Sequence, residues 1–281
     1  SGVYAYPGTP STEITEFIQA NPLAKQRGIH SRWCTNEKTA MEAALGMSFA
    51  GKRALVCMKH VGMNVAADAF INSSITGVNG GLVVVAADDP SMHSSQNEQD
   101  SRFYGKFAMI PIMEPSSQQE AYDMMEKAFS MSEELKLPVL LRIVTRLAHS
   151  RADVTISEPI AENELNLDLN RSEWVLLPVN AKRQYNKLID KQTILENLSE
   201  ESQYNLFTTP QEEKKYKRGI IACGIAYNYV MEALQDEEEK MPIIKISQYP
   251  LPIQQIKRLS ELCEELIVFE DGQPLVEEQV K

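Results

Sequence analysis

The sequence predicts a doubly wound parallel α/β sheet followed by a second, smaller βαβ unit. Three observations predict it. Over residues 1–150, short β-like runs alternate with helical patterns. The runs Ala54–Met58, Leu82–Ala86 and Val139–Val144 are apolar at nearly every position, which suits parallel strands covered on both faces. The alternation resumes from Lys217. The expected organisation is therefore 1–150, a connector with one helix over 151–216, and the βαβ unit over 217–281.

Taken in order, Val3-Tyr4-Ala5-Tyr6 reads as the first strand. Thr9 can cap the next helix with Pro10 at its first position, and Ile14, Phe17 and Ile18 fall on one face. Trp33 ends a strand, and Thr35 or Asn36 caps a helix whose buried stripe is Ala40, Ala43, Ala44 and Met47. Lys59-His60-Val61-Gly62-Met63-Asn64 follows the 54–58 strand and opens another helix. Gly77-Val78-Asn79-Gly80-Gly81 reads as a tight turn feeding the 82–86 strand. The polar, aperiodic run Asp88–Asp100 reads as a loop at the same sheet edge. Gln118–Leu135 is an amphipathic helix, and Ala181–Leu198 is the connector's helix, followed by a polar run ending in Glu212-Glu213-Lys214-Lys215.

In the second unit the expected order is strand Gly219–Cys223, a turn at Gly224, helix Tyr227–Gln235 and strand Ile243–Ile246. A helix Ile253–Cys263, with Ile256, Leu259 and Cys263 on one face, and a strand Leu266–Glu270 complete it. Asp236-Glu237-Glu238-Glu239 reads as a solvated face or loop. The chain opens in a strand already under way and stops just after Glu277-Glu278-Gln279, so it reads as a fragment cut at both ends.

Composition narrows the function classes. With 43% hydrophobic and 24% charged residues the chain can bury a sizeable core, and its net charge of −11 argues against nucleic acid or anionic membrane as main partners. No run reaches the roughly 18 apolar residues of a membrane span. Cys34, Cys57, Cys223 and Cys263 form no CxxC pair, and His30, His60, His93 and His149 show no metal-site spacing, so no metal ligands are expected within the chain. No GxxxxGK[ST], GxGxxG or G-D-G…N-N phosphate motif is present.

Two segments carry the chemistry. Tyr6-Pro7-Gly8-Thr9-Pro10-Ser11-Thr12-Glu13 and Trp33-Cys34-Thr35-Asn36-Glu37-Lys38 each read as a strand end turning into a helix, the place where open α/β sheets bind ligands. Glu37 is either a first-turn acid favoured by the helix dipole or a carboxyl acting on a cofactor's ring nitrogen. Thr9 is either a plain cap or a contact for an anion at a helix mouth. His60 is either a loop histidine satisfied by backbone or a substrate contact. Cys34 has no histidine partner at a spacing that supports nucleophilic catalysis.

Together the two segments resemble the pyrimidine-binding domain of thiamine-diphosphate enzymes of the 2-oxoacid:ferredoxin oxidoreductase family. The run Asp88-Asp89-Pro90-Ser91-Met92-His93-Ser94-Ser95-Gln96-Asn97-Glu98-Gln99-Asp100 resembles the family's indolepyruvate-acting members. Residues 217–281 resemble, more weakly, a transketolase C-terminal-like domain. The resemblance implies that Glu37 hydrogen-bonds the cofactor's aminopyrimidine N1′, with Pro7 over the ring and Asn64 beside it. It implies that Thr9, Lys59 and His60 contact the oxoacid, and that Glu37 and His60 are the catalytic pair. Pyruvate-acting relatives carry an arginine near the position of Asp88, so an acid there leaves room for a bulkier aryl substrate.

The activity implied is oxidative decarboxylation of an arylpyruvate, with coenzyme A as acyl acceptor and ferredoxin as electron acceptor. The diphosphate and Mg2+ of the thiamine diphosphate, and the iron–sulfur clusters, are expected in parts outside this chain, so the fragment alone is expected to be inactive. A beta subunit, a dimeric or higher assembly with a large apolar interface, and a reducing cytoplasm are also implied. Two alternatives stay open: an enzyme for another 2-oxoacid (pyruvate, 2-oxoglutarate, phosphono- or sulfopyruvate), and a non-catalytic subunit-interaction module.

Overall fold

A computed structural model describes residues 1–211, 214–236 and 240–281. Glu212, Glu213 and Glu237–Glu239, within the two charged runs noted above, lie outside the described residues. In the first half the strands are β1 (Gly2–Ala5), β2 (His30–Trp33), β3 (Ala54–Lys59), β4 (Leu82–Asp88), β5 (Ile112–Met113) and β6 (Val139–Val144). In the second they are β7 (Leu206–Thr208), β8 (Tyr216–Cys223), β9 (Ile243–Ile246), β10 (Gln248–Tyr249) and β11 (Cys263–Phe269). One sheet runs β10-β5-β6-β4-β3-β1-β2 and the other β11-β8-β9-β7. Every pair is parallel except β10 on β5 and β7 on β9.

The first sheet is covered on both faces, as its apolar strands require. Side chains alternate along each strand. Tyr4, Val56, Met58, Val84 and Ala86 point to the face holding the helices Glu37–Phe49 and Gly62–Thr76, where Ala40, Ala44, Ala66 and Phe70 meet them. Val3, Ala5, Leu55, Val83 and Val85 point to the other face, against Met124, Ala128 and Met131 of the helix Gln118–Leu135. The connector's helix runs Pro178–Glu200, with proline at its first turn as helix starts favour, and it adds Leu188 and Leu195 to this second layer.

Three boundaries differ from expectation, each for a physical reason. The helix after β1 begins at Thr12, not at Pro10. The Gly8 carbonyl accepts both the Ser11 N–H and its hydroxyl, at 2.8 and 2.7 Å, and the Gly8 N–H goes to the Thr12 hydroxyl, so residues 8–11 are spent on a turn. Cys263 leaves the helix Ile253–Leu262 to open β11, in parallel register with Tyr216. The two halves of the chain also exchange strands. The connector's Leu206–Thr208 pairs with β9 in the second sheet, and β10 from the second half pairs with β5 in the first.

A buried charge cluster locks the two sheets together. Arg142 on β6 bonds Asp88 at 2.6 Å and Glu114, and its outer nitrogen reaches the Asp271 carbonyl at 2.6 Å. Arg102 forks onto Asp100, bonds the Tyr249 hydroxyl at 3.2 Å and pairs with Glu270 at 3.0 Å. Asp88, Asp100, Glu114, Arg102 and Arg142 are all buried. Residues 271–273, after β11, and Gly224, after β8, press against this cluster. A Cβ on Gly272 would stand 2.8 Å from an Asp100 oxygen, and one on Gly224 would stand 2.6 Å from Glu114. Gly272 also has φ +122°, which side chains other than glycine rarely adopt. Gly272→Ala is expected to cost about 2 kcal/mol or more, read as a lowered midpoint in urea unfolding.

Candidate active site

The carboxyl ends of β1, β2 and β3 lie side by side, since the Cys34 N–H after β2 bonds the Ala5 carbonyl at 2.8 Å. From this edge rises the helix Glu37–Phe49. Asn36 caps it, accepting the Thr39 N–H at 2.9 Å, while the Thr39 hydroxyl receives the Asn36 N–H in a reciprocal capping box. The cap fixes Glu37 as the first helical residue. Its side chain folds across the edge onto Gly62, where an added Cβ would stand 2.7 Å from the Glu37 Oε1. Glu37 is only 9% exposed. No arginine, lysine or other donor bonds its carboxylate among the described residues. A nearly buried carboxylate without a donor is costly unless a partner from outside completes it.

The neighbouring candidates gather at the same edge. Gly8, in the turn after β1, packs on Lys59: its missing Cβ would stand 3.0 Å from the lysine's Cβ. Pro7 and Thr9 are exposed on this turn, and Ser11 occupies the cap position assigned to Thr9 from sequence, because the turn displaces the helix start. Asn64, in the first turn of the helix Gly62–Thr76, accepts a hydrogen bond from the Tyr104 hydroxyl.

Lys59 and His60 turn towards the following loop. The Lys59 ammonium donates to the Ser94 carbonyl at 3.1 Å. His60 is 1% exposed, with its Nε2 at 3.2 Å from the Asn97 carbonyl and its Nδ1 buried without a partner. In this arrangement both side chains hold the loop 89–100 over the ends of β3 and β4.

That loop is organised by its acids rather than open to solvent at its root. Asp89 accepts the Thr145 hydroxyl at 2.8 Å, the Ser95 hydroxyl at 2.5 Å and the Ser94 and His93 N–H groups at 2.8 and 3.2 Å. Burial works to raise its pKa, but these donors prevail and hold the carboxyl well below the usual carboxylate range. A depressed pKa contributes stability that is complete above the ordinary carboxylate value, near 3.9, and is lost as pH falls below it. Asp89→Asn is therefore expected to loosen the loop at neutral pH, seen as faster protease cleavage within 89–100, with the difference from the native chain narrowing in strong acid.

Asp88 requires a correction. It is 0% exposed, bonded to Arg142 and to the Ser101 N–H at 2.9 Å. It faces the charge cluster and not a substrate, so its acidity says nothing about the size of the substrate. Burial raises its pKa, opposed mainly by Arg142. The cluster itself was missed. Its signal was present in Val139-Leu140-Leu141-Arg142-Ile143-Val144, because an arginine in a strand covered on both faces demands buried acids.

Other chemistry finds little support. Burial pushes the Cys57 thiol up to about 12, so it is not a nucleophile. Among the described residues no group of His, Cys, Asp or Glu could hold a metal ion. The Gly77–Gly81 turn sits at the start of β4, the end opposite the candidate site. Among the described residues no helix is long and apolar enough to cross a membrane.

Comparison with known proteins bears on the family and the fold. Residues 2–216 match the family model described as pyruvate flavodoxin/ferredoxin oxidoreductase, thiamine diP-bdg. The indolepyruvate oxidoreductase subunit IorA of Pyrococcus horikoshii is 43% identical over 289 residues, covering 100% of this chain and 44% of that protein. The chain thus spans under half the length of these curated relatives. The fold is shared with 2-oxoglutarate:ferredoxin oxidoreductase from Magnetococcus marinus, solved with 2-oxoglutarate, coenzyme A and succinyl-CoA bound (TM-score 0.74, 16% identity, 95% of this chain and 54% of that one). It is shared more loosely with transketolase from Campylobacter jejuni (TM-score 0.54, 9% identity, 96% of this chain and 39% of that one). With a parallel sheet, a shielded carboxylate at its ligand edge and a family match over residues 2–216, the chain belongs to the thiamine-diphosphate-binding pyruvate flavodoxin/ferredoxin oxidoreductase family.

Proposed function

We propose that this chain supplies the pyrimidine-facing half of a thiamine-diphosphate site in an oxidoreductase acting on arylpyruvates such as indolepyruvate. Coenzyme A takes the acyl group and ferredoxin the electrons. Mg2+, the diphosphate grip, the iron–sulfur clusters and a beta subunit belong to parts outside these residues. The observation that carries the reading is Glu37: a carboxylate 9% exposed, packed on Gly62, with no donor among the described residues.

When bound, thiamine diphosphate supplies the carbon nucleophile of decarboxylation. Glu37 would share one proton with the ring N1′, donating it as the acid and accepting the hydrogen bond back as the carboxylate, and so gain its missing partner. Holding a proton there is general acid–base work in a shielded site. Pro7, after β1, and Asn64, in the first turn of the helix after β3, would limit where the ring can lie. Thr9, exposed on its turn, would meet the oxoacid. His60 and Lys59 act by holding the loop 89–100 above them, so we assign them positioning roles. The arylpyruvate preference rests on the likeness to IorA across the whole chain.

The fit is partial in a useful way. Glu37 suits the pyrimidine ring, while no described group of side chains suits Mg2+. Calorimetry on the isolated chain is therefore expected to show weak binding or none for thiamine diphosphate, with Mg2+ making no difference. Tight, Mg2+-dependent binding would overturn the division of the site.

A further inference from the structure

The carboxyl ends of the two sheets face each other, and a polar cavity of about 280 Å³ lies between them. Ser91 and His93 line it from the loop after β4, and Thr145 and Arg146 from the end of β6. Tyr229 lines it from the helix after β8, and Asp271 from the end of β11. Such edges are where α/β sheets place their ligands, and here two of them share one cavity.

Arg146 differs from the chain's buried arginines. Arg102 and Arg142 are saturated by acids. Arg146 is exposed, stacks its guanidinium 5.8 Å from the Tyr229 ring centre, and has no ion pair or hydrogen bond to its side chain among the described residues. The ring beneath it leaves the guanidinium's donors, a fork shaped for a carboxylate or phosphate, unspent. Among the described residues the one acid lining the cavity is Asp271, whose pKa is raised by burial, with Arg142 opposing. Its neutral form can donate to an anion.

We propose that this cavity is a second ligand site, taking a small molecule with a carboxylate or phosphate head group held by Arg146. It is separate from the Glu37 edge. The Glu37 carboxyl rests on Gly62 after β3 and Arg146 follows β6, two places along the sheet, so about 10 Å of sheet lies between them at ordinary strand spacing. A bound anion would touch both halves of the chain and so tie them together. The inference does not depend on the thiamine-diphosphate reading.

The test is an amide NMR titration of this chain with inorganic phosphate and, separately, with succinate, at constant ionic strength. Saturable shifts at Ser91, Tyr229 and Asp271 are expected with at least one probe, and which probe saturates identifies the head group. Arg146→Gln should weaken binding about tenfold or more, the order expected for a lost charge-assisted pair. Arg146→Lys should fall between, and Glu37→Gln should bind as the native chain does. The Arg146 side chain is exposed, so the variant's spectrum away from the cavity reports that its fold is intact. Absence of saturation with both probes, or equal binding by Arg146→Gln, overturns the proposal.

Discussion

Replacing Glu37 with glutamine in the full-length enzyme is expected to lower turnover by roughly 10²–10⁴, the range of a lost general acid–base group. The amide keeps the size of the side chain but cannot hold the charge or share the proton. Fold stability should fall by no more than about 0.3–1 kcal/mol, the worth of a first-turn acid at a helix N-terminus, and the amide removes a shielded charge that has no donor within the chain's described residues. The pairing of a large kinetic loss with a small stability change separates a chemical role from a structural one. Turnover that stays within a few-fold of the native enzyme would favour a module that only binds a partner subunit. Glu37→Asp is a useful companion: it retains the acid but withdraws it from Gly62, so it should recover part of the rate only if reach is not limiting.

The second large effect lies far from the chemistry. Arg142→Met is expected to destabilise the chain by about 3–5 kcal/mol, because it leaves Asp88, Asp100 and Glu114 buried with one arginine among them. That is a large share of the ~5–15 kcal/mol that holds a domain folded. The orphaned acids would have folded-state pKa values above their unfolded ones. The penalty is then absent below the unfolded carboxylate pKa and grows as pH rises towards the folded values. Urea unfolding should show a deficit at pH 7 that shrinks at pH 5. Adding Asp88→Leu to the variant should recover part of the loss, since it removes one of the uncompensated charges. A deficit that does not vary with pH would mean that packing, not charge, sets the cost.

The contrast between these two positions explains what could be read from the residues. Glu37 was legible because its geometry is local: Asn36 and Thr39 set the cap, and the cap sets the direction of the carboxylate. β3, β4 and β6 were legible because burial on both faces writes a continuous apolar run. β7 and β10 were not, since strands of three and two residues carry no periodicity and owe their existence to the partners they pair with. The start of the first helix was misplaced because Pro10 suits a first turn in general, while the hydrogen bonds of Gly8 and Thr12 are particular to this chain. Asp88 and His60 were read as site-facing from their place at the strand ends. Both turn instead to buried partners, Arg142 and the Asn97 carbonyl, far away in sequence. Arg142 held the clue, but a clue to a partner does not name it.

One structure would decide the matter: the full-length enzyme with thiamine diphosphate bound, at a resolution that places the Glu37 carboxylate against the aminopyrimidine ring. We expect a Glu37 oxygen about 2.6–3.2 Å from the ring N1′, with the side chain still resting on Gly62. A cofactor whose ring N1′ meets another acid, or a Glu37 turned to water or to an arginine of a neighbouring subunit, would contradict the role given to this residue.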